Sequence, residues 1–154
     1  MSIMKKLTTL LIVSISVLLS LNLQAQPAPA KSGASLFERL GGKKGISAIV
    51  DDVVAAHMVN PDIKERFLPY KGTPELEIAK EHLAEFFMAG SGGPVEYTGR
   101  GLKEVHTGME ITHKEYMAAT DDAMKVLSEH NIDEETKKDV LAIFWALKDK
   151  IIGQ

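Results

Sequence analysis

A helix-breaking motif in the middle of the chain constrains the fold most. An apolar helical pattern runs up to residue 91, and Gly92-Gly93-Pro94 must end it. Two residues without a Cβ followed by one without an N–H cannot continue the hydrogen-bonding ladder of a helix. Helical spacing resumes after Gly99, at Leu102, Val105, His106 and Met109. The spacing places His106 inside an apolar stripe, where a neutral imidazole could bind a metal.

The rest of the chain also has helical periodicity, with no alternation of the kind that predicts strands. Two capping boxes, Ser35 with Glu38 and Thr112 with Glu115, predict helix starts, and Thr73-Pro74 and Asp133 predict two more. Three of the predicted helices each have an expected inner face. These faces comprise Ile46, Ile49, Val50, Val53, Val54, His57 and Met58 in one helix; Tyr116, Ala119, Ala123, Val126 and Leu127 in the next; and Val140, Leu141, Phe144, Leu147 and Ile151 in the last. The sequence therefore predicts an all-α domain.

The first 25 residues have the pattern of an export signal. Lys5 and Lys6 precede an apolar run over residues 7–23, and Ala25 offers a small residue for cleavage. A retained membrane anchor is the alternative, although the run falls short of the roughly 20 residues that a spanning helix needs. We expect a signal peptide at 1–25, a flexible leader at 26–34 and a periplasmic domain at 35–154, with no stable membrane insertion after cleavage.

Charge and cysteine content narrow the possible partners. Loss of the signal peptide would change the formal net charge from −3 to −5, because Lys5 and Lys6 leave with it. An acidic domain argues against a nucleic-acid partner. The chain has no cysteine, which excludes a lipoprotein signal, a disulfide and thioether attachment of a cofactor.

The motifs together give the chain a specific resemblance. It resembles the group 1 truncated haemoglobins over about residues 35–152. The matching positions are Leu36-Phe37-Glu38-Arg39-Leu40-Gly41-Gly42, Phe86-Phe87, Gly92-Gly93-Pro94, Tyr97-Thr98-Gly99-Arg100, His106 and Ile111-Thr112. The resemblance implies a truncated globin, a two-over-two helical sandwich around a noncovalent b-type haem. Periodicity alone would not distinguish this fold from another helical bundle.

The resemblance also implies roles for individual residues. His106 would be the proximal iron ligand. The helix with Ala79, His82, Leu83 and Phe86 on one stripe would cross the distal face of the haem, and His82 matches a position where some relatives have a second iron-binding histidine. The expected cofactor-binding residues are His106, His82, Phe67, Phe86, Leu83, Tyr97, Arg100, Lys103 and Tyr116.

Each of these assignments has an ordinary structural alternative. The stripe containing His82 could be a core stripe with one hydrogen-bonded histidine. The aromatic residues could be core residues, and Arg100 and Lys103 could be solvated instead of pairing with the haem propionates. Of the other histidines, His57 is expected to pack in the core, and His113 and His130 are expected to be solvated. No histidine follows His130, so attachment of the haem through a late histidine, known in some relatives, is not expected.

The chain departs from the family pattern in the distal pocket. Many group 1 members have tyrosine at the position of Val54 and glutamine at that of Ala79 or Leu83. A hydrogen bond to bound O₂ would contribute about 1 to 3 kcal/mol, and about 1.4 kcal/mol is tenfold in affinity. Without these donors, His82 is the remaining distal side chain that could donate one.

Three classes of function follow from the resemblance. We favour a haem protein that reversibly binds O₂, NO or CO. The alternatives are a haem enzyme for NO dioxygenation or for nitrite or peroxide chemistry, and a bis-histidine module for electron transfer or sensing. The sequence contains no flavin or nicotinamide motif, so a redox cycle would require an external reductase.

Overall fold

The computed structural model describes residues 33–154, which fold as α-helices. The helices are α1 (Leu36–Arg39), α2 (Gly42–Val59), α3 (Lys64–Phe67), α4 (Pro74–Gly90), α5 (Leu102–His106), α6 (His113–Glu129) and α7 (Glu134–Leu147), with 3₁₀ turns at Leu68–Tyr70 and Lys148–Lys150. Within this range there is no strand, only one isolated parallel bridge between Ile111 and Ile152. The all-α prediction is confirmed. The expected signal peptide and most of the leader lie outside the described residues.

The helix starts are those that the capping residues predict. Ser35 and Thr112 each accept a hydrogen bond from the third helical N–H. Glu38 and Glu115 each accept one from the backbone N–H of the cap residue, which completes both capping boxes. Thr73 caps α4, and Pro74 occupies its first helical position, where no N–H is needed. Asp133 caps α7 through the N–H of Thr136. Local chemistry therefore sets where α1, α4, α6 and α7 begin.

The core lies between two pairs of helices. Helix α2 packs against α4 and across α6, while α6 packs against α7. The inner face of α2 is buried at the predicted positions from Ile46 to His57, and Ala84, Met88, Ala123, Val126, Leu127 and Val140 complete the core. This arrangement is the two-over-two sandwich. No helix in residues 33–154 is long and apolar enough to span a membrane.

The glycine motif ends α4 as predicted and also brings the chain close to α1. The helix stops at Gly90, and Gly92 has a φ of +86°, which favours glycine. A Cβ on Gly93 would collide with the Phe37 ring and the Met88 carbonyl. The N–H of Phe37 donates to the carbonyl of Ser91. The break therefore ties the end of α4 to α1.

Three local predictions are wrong. Helix α5 ends at His106, so Met109 lies in the following loop and not on a helical stripe. Leu141 was expected to face inward but is 43% exposed. His130 was expected to be solvated, but its Nε2 lies 2.7 Å from Asp52 and joins the end of α6 to α2.

Candidate functional site

One face of α4 is left uncovered by the other residues of the range 33–154. Leu76, Ala84 and Met88 bury the opposite face, whereas Ala79 and His82 are exposed and the apolar side chain of Ile78 is 51% exposed. Leu83 and Phe86, the other members of the predicted stripe, are half-buried. The stripe is therefore not an ordinary core stripe. His82 makes no hydrogen bond to any residue of the described range, so the alternative of a hydrogen-bonded core histidine is also excluded.

His106 has the hydrogen bonding of a metal ligand. It is the last residue of α5 and is half-buried. Its Nδ1 lies 2.7 Å from the carbonyl oxygen of Leu102, one turn earlier. Because a carbonyl only accepts, Nδ1 carries the proton and Nε2 keeps a free lone pair. Nε2 has no hydrogen-bond partner in residues 33–154. A bond from the other ring nitrogen to a carbonyl is the usual way to orient a histidine ligand.

Two cations lie near this histidine in sequence. Arg100 and Lys103 are exposed, and neither side chain pairs with a carboxylate of the described residues. Either could therefore bind an external anion such as a haem propionate.

Tyr97 shapes the segment that carries these cations. Its hydroxyl donates to the Arg100 carbonyl at 2.8 Å, and its ring packs edge-on against Phe86 with centroids 5.4 Å apart. A Cβ on Gly99 would collide with the phenol, which explains the glycine there. Tyr97 therefore connects the segment before α5 to the wall formed by α4.

The other predicted aromatic contacts hold helices together. The hydroxyl of Tyr116 donates to the carbonyl of Phe144 at 2.6 Å, and burial raises the pKa of this phenol. Because the hydroxyl already donates to α7, Tyr116 could contact a cofactor only through its ring. Phe67, half-buried at the end of α3, lies 5.0 Å from the ring of His57.

His57 belongs to a hydrogen-bonded cluster between α2 and α6. It is only 7% exposed, and its Nδ1 lies 2.9 Å from the carboxylate of Asp122. Asn60 donates from its amide to both oxygens of the same carboxylate. Burial lowers the pKa of His57, although Asp122 opposes this shift. The expected packing of His57 in the core is confirmed.

Comparison with known proteins identifies the family. The model of the bacterial-like globin family matches residues 35–152. The chain belongs to this family. Group 1 truncated hemoglobin GlbN of Mycolicibacterium paratuberculosis is 27% identical over 118 residues, which cover 77% of this chain and 84% of that protein. The resemblance seen in the sequence is thereby confirmed.

Solved truncated haemoglobins have the same fold. The Fe(III) form of the Tetrahymena pyriformis protein has a TM-score of 0.71 at 19% identity, covering 79% of this chain and 100% of that one. The 2/2 hemoglobin of Synechococcus sp., described as cyanomet with covalently attached heme, has a TM-score of 0.67 at 20% identity, covering 76% and 95%. The two-over-two globin fold is confirmed. Membership of the globin family, shown by the family match, makes this a haem protein that binds diatomic gases.

The residues of this globin fit a haem. The group requires an axial nitrogen, an apolar slot for the porphyrin and cations for its carboxylates. His106 supplies an unpartnered nitrogen, Ile78 and Phe86 supply apolar surface, and Arg100 and Lys103 supply cations. The roles of these individual residues remain predictions.

Sequence reasoning missed two features of the globin. One is Arg66, whose guanidinium reaches Glu115 and Met109, 49 and 43 residues away in sequence. The capping box identified Glu115, but no local spacing indicated its partner. The other is an apolar cavity of about 150 Å³ beside Phe86. Its further lining residues are Leu36, Leu40, Phe87, Gly90, Ser91, Val140, Ile143 and Leu147.

Proposed function

We propose that this globin binds a diatomic gas reversibly at a noncovalent haem whose iron is held by His106. The observation that carries the proposal is the Leu102 carbonyl 2.7 Å from Nδ1 of His106, which orients the ring through Nδ1, while Nε2 has no partner in residues 33–154. When bound, the haem supplies an iron atom with a position for O₂, NO or CO. The surrounding side chains then orient the imidazole, exclude water and bind the propionates.

The residues of this chain support noncovalent binding of the haem. The Synechococcus structure is described as having covalently attached heme. This chain has no cysteine, and no histidine follows His130, so residues 131–154 contain no imidazole for such a bond. Extraction into acidic organic solvent should therefore remove all of the haem from the protein.

His82 supports a second candidate function, a bis-histidine module for electron transfer or sensing. Its side chain is exposed on the uncovered face of α4 and has no partner in residues 33–154. Val54 is buried, and neither it nor Ala79 or Leu83 can donate a hydrogen bond. His82 is therefore the distal group available to bind iron or to donate to a gas. Binding to iron would reduce the apparent gas affinity by the fraction of open pocket.

The substitution His106→Ala tests the proximal ligand. We expect the variant, expressed with haem available, to lose most of its Soret absorbance, because the imidazole that would hold the iron is removed. His113→Ala is the matched control, since His113 is exposed at the start of α6 and should retain the haem. A normal spectrum in His106→Ala would refute the assignment.

The resting spectrum tests His82. If it binds iron, the ferric protein should be low-spin, and His82→Leu should become high-spin and bind CO faster after reduction. A high-spin resting protein that is unchanged in His82→Leu would exclude the bis-histidine state. Weak hydrogen bonding at Val54, Ala79 and Leu83 would then predict fast O₂ release, measurable by stopped-flow.

An enzymatic role remains the alternative to reversible binding. Turnover of NO with O₂, or of nitrite, would need electrons from an external reductase, because the sequence has no flavin or nicotinamide motif. Turnover assays with a supplied reductant distinguish catalysis from binding.

A further inference from the structure

The position of His106 depends on a loop outside its own helix. Helix α5 has five residues, too few to be stable without external contacts. The loop over residues 107–112 follows at once, and Met109 donates its N–H to the carbonyl of His106 at 3.0 Å. Gly108 and Glu110 in this loop have φ values of +82° and +49°. Whatever holds this loop also holds the end of α5.

One side of the loop is held by Arg66. Its Nη1 donates to the Met109 carbonyl at 2.9 Å, and its Nε donates to Oε1 of Glu115 at 2.7 Å. Glu115 accepts at its other oxygen from the N–H and hydroxyl of Thr112, each at 2.8 Å. The guanidinium thus connects the middle of the loop, at Met109, to its end at Thr112, through a carboxylate that is only 18% exposed.

The other side of the loop is held by the chain's last residues. Glu110 donates its N–H to the carbonyl of Gln154 at 2.8 Å, and Gly153 donates to the carbonyl of Ile111 at 3.0 Å. These are backbone contacts that most side-chain changes would leave in place. Arg66 is therefore the side-chain anchor that substitution can remove.

Arg66 also links the loop to the opposite wall of the site. It precedes Phe67 in α3, and Phe67 packs against the buried ring of His57. The guanidinium of Arg66 is rigid and planar, and it donates in two directions. It therefore couples the position of α3 to that of the Met109 carbonyl, three residues after His106. The contacts of Arg66 thus join α3, which carries Phe67, to the loop that follows His106 and to the start of α6.

We propose that Arg66 is a positioning residue for the haem, which sets the geometry of His106 by holding the Met109 carbonyl and the Glu115 carboxylate together. The inference rests on the proposed function, because it takes His106 as the iron ligand. Residues that orient a metal ligand from outside typically change metal affinity by about 10- to 100-fold when they are replaced.

The haem-loaded protein tests this proposal by two measurements. The first is the rate at which ferric haem transfers to an excess of an apo-globin acceptor. The second is the iron–histidine stretching band of the ferrous protein in resonance Raman spectra. In Arg66→Ala we expect haem loss to be faster by about tenfold and the band to shift or broaden. Arg66→Lys should lie between this variant and wild type, because an ammonium cannot reproduce the fork.

Two further variants separate positioning from a general loss of stability. Glu115→Gln keeps a side chain that can complete the capping box but weakens the charge-assisted bond to Arg66, so it should also speed haem loss. Lys114→Ala is the matched control, because Lys114 pairs with Asp62 between the start of α6 and the segment before α3 but touches no loop carbonyl. It should leave both measurements unchanged.

The outcomes distinguish the two proposals. Haem loss at the control rate and an unaltered band in the Arg66 variants would overturn the positioning role, as would a lowered unfolding midpoint with an unaltered band. If Arg66→Ala does not fold, Arg66→Lys and Glu115→Gln decide the question. Failure of the His106 assignment would be seen separately, as normal haem binding in His106→Ala.

Discussion

The cluster around His57 and the face around His82 and His106 differ in how their polar groups are satisfied. At His57, the ring nitrogen Nδ1, the Asp122 carboxylate and the Asn60 amide bond to one another. Elsewhere, the described residues provide no partner for the His82 side chain or for Nε2 of His106, and Ile78 is exposed one turn from His82 on α4. A buried polar group without a partner costs free energy. Because the polar groups around His57 are paired with one another, this cluster stabilises the protein without a ligand. The second region is arranged for a group that the polypeptide does not supply.

The largest effect on stability is expected in the cluster around His57, where the polar groups bond to one another. Asp122→Ala would leave Nδ1 of His57 buried without an acceptor, which should lower the free energy of unfolding by about 1 to 3 kcal/mol. Chemical denaturation of the haem-free protein measures this change. Asp121→Ala is the matched control. Asp121 is the exposed neighbour of Asp122, and its side chain makes no hydrogen bond within residues 33–154, so this substitution should cost less than about 0.5 kcal/mol. Equal effects in the two variants would show that the cluster is not a distinct stabilising unit.

The same cluster should respond to pH. Burial lowers the pKa of His57 below its ordinary 6.5, so below pH 6.5 the unfolded chain takes up a proton that the folded chain resists. The contribution of His57 is therefore fully present above pH 6.5 and decreases as the pH falls through the lowered folded pKa. Urea unfolding of the haem-free protein at several pH values should show this decrease. It should be absent in His57→Gln, and its persistence there would assign it to another group.

Glu115 should produce a second decrease at lower pH. The Arg66 guanidinium and the Thr112 N–H hold the pKa of this carboxyl at about 2, below its ordinary 4.5. Because the folded pKa is depressed, the stabilisation is present above pH 4.5 and is lost as the pH falls towards 2. Unfolding measurements at pH 5 and pH 3 on wild type and Glu115→Gln test this expectation. The difference between the two proteins should be smaller at pH 3, and a difference independent of pH would contradict it.

The open face should tolerate substitution when no haem is bound. His82→Ala removes an exposed side chain without a hydrogen bond, so the unfolding free energy of the haem-free protein should change by less than about 0.5 kcal/mol. The same variant should alter the spectrum of the haem-loaded protein if His82 binds the iron. A large loss of stability without haem would mean that His82 is a structural residue, and the contrast between the two regions would fail.

Sequence patterns predicted the features that depend on neighbouring residues. The inner face of α2 and the starts of α4, α6 and α7 follow from periodicity and capping, which act within a few residues. The end of α5 does not, because the helical spacing continues to Met109 whereas the helix stops at His106, two residues before Gly108 with its φ of +82°. The helical stripe placed His82 and Phe86 on one face, but only packing could show that no helix covers it.

Contacts between residues that are far apart in sequence explain what the sequence could not predict at the site. Arg66 reaches across 43 and 49 residues to Met109 and Glu115, and local spacing contains no information about such a contact. The apolar stripe around His106 indicates no polar partner for its ring, but its Nδ1 bonds to the Leu102 carbonyl. This correction strengthens the assignment, since the bond fixes which nitrogen is free.

The smallest effect is expected from the removal of residues 1–25, which lie before the family match. We propose that Lys5, Lys6, the apolar run at 7–23 and Ala25 form an export signal that is removed, so that the protein is periplasmic. The intact mass of the mature protein should then correspond to a chain that begins at or near Gln26. A recombinant chain starting at Gln26 should have the same resting spectrum and unfolding midpoint as the full chain, because the family match begins only at residue 35. A full-length species found mainly in the membrane fraction would identify the segment as an anchor. A changed spectrum in the shortened chain would show that the two regions do not account for the haem site alone.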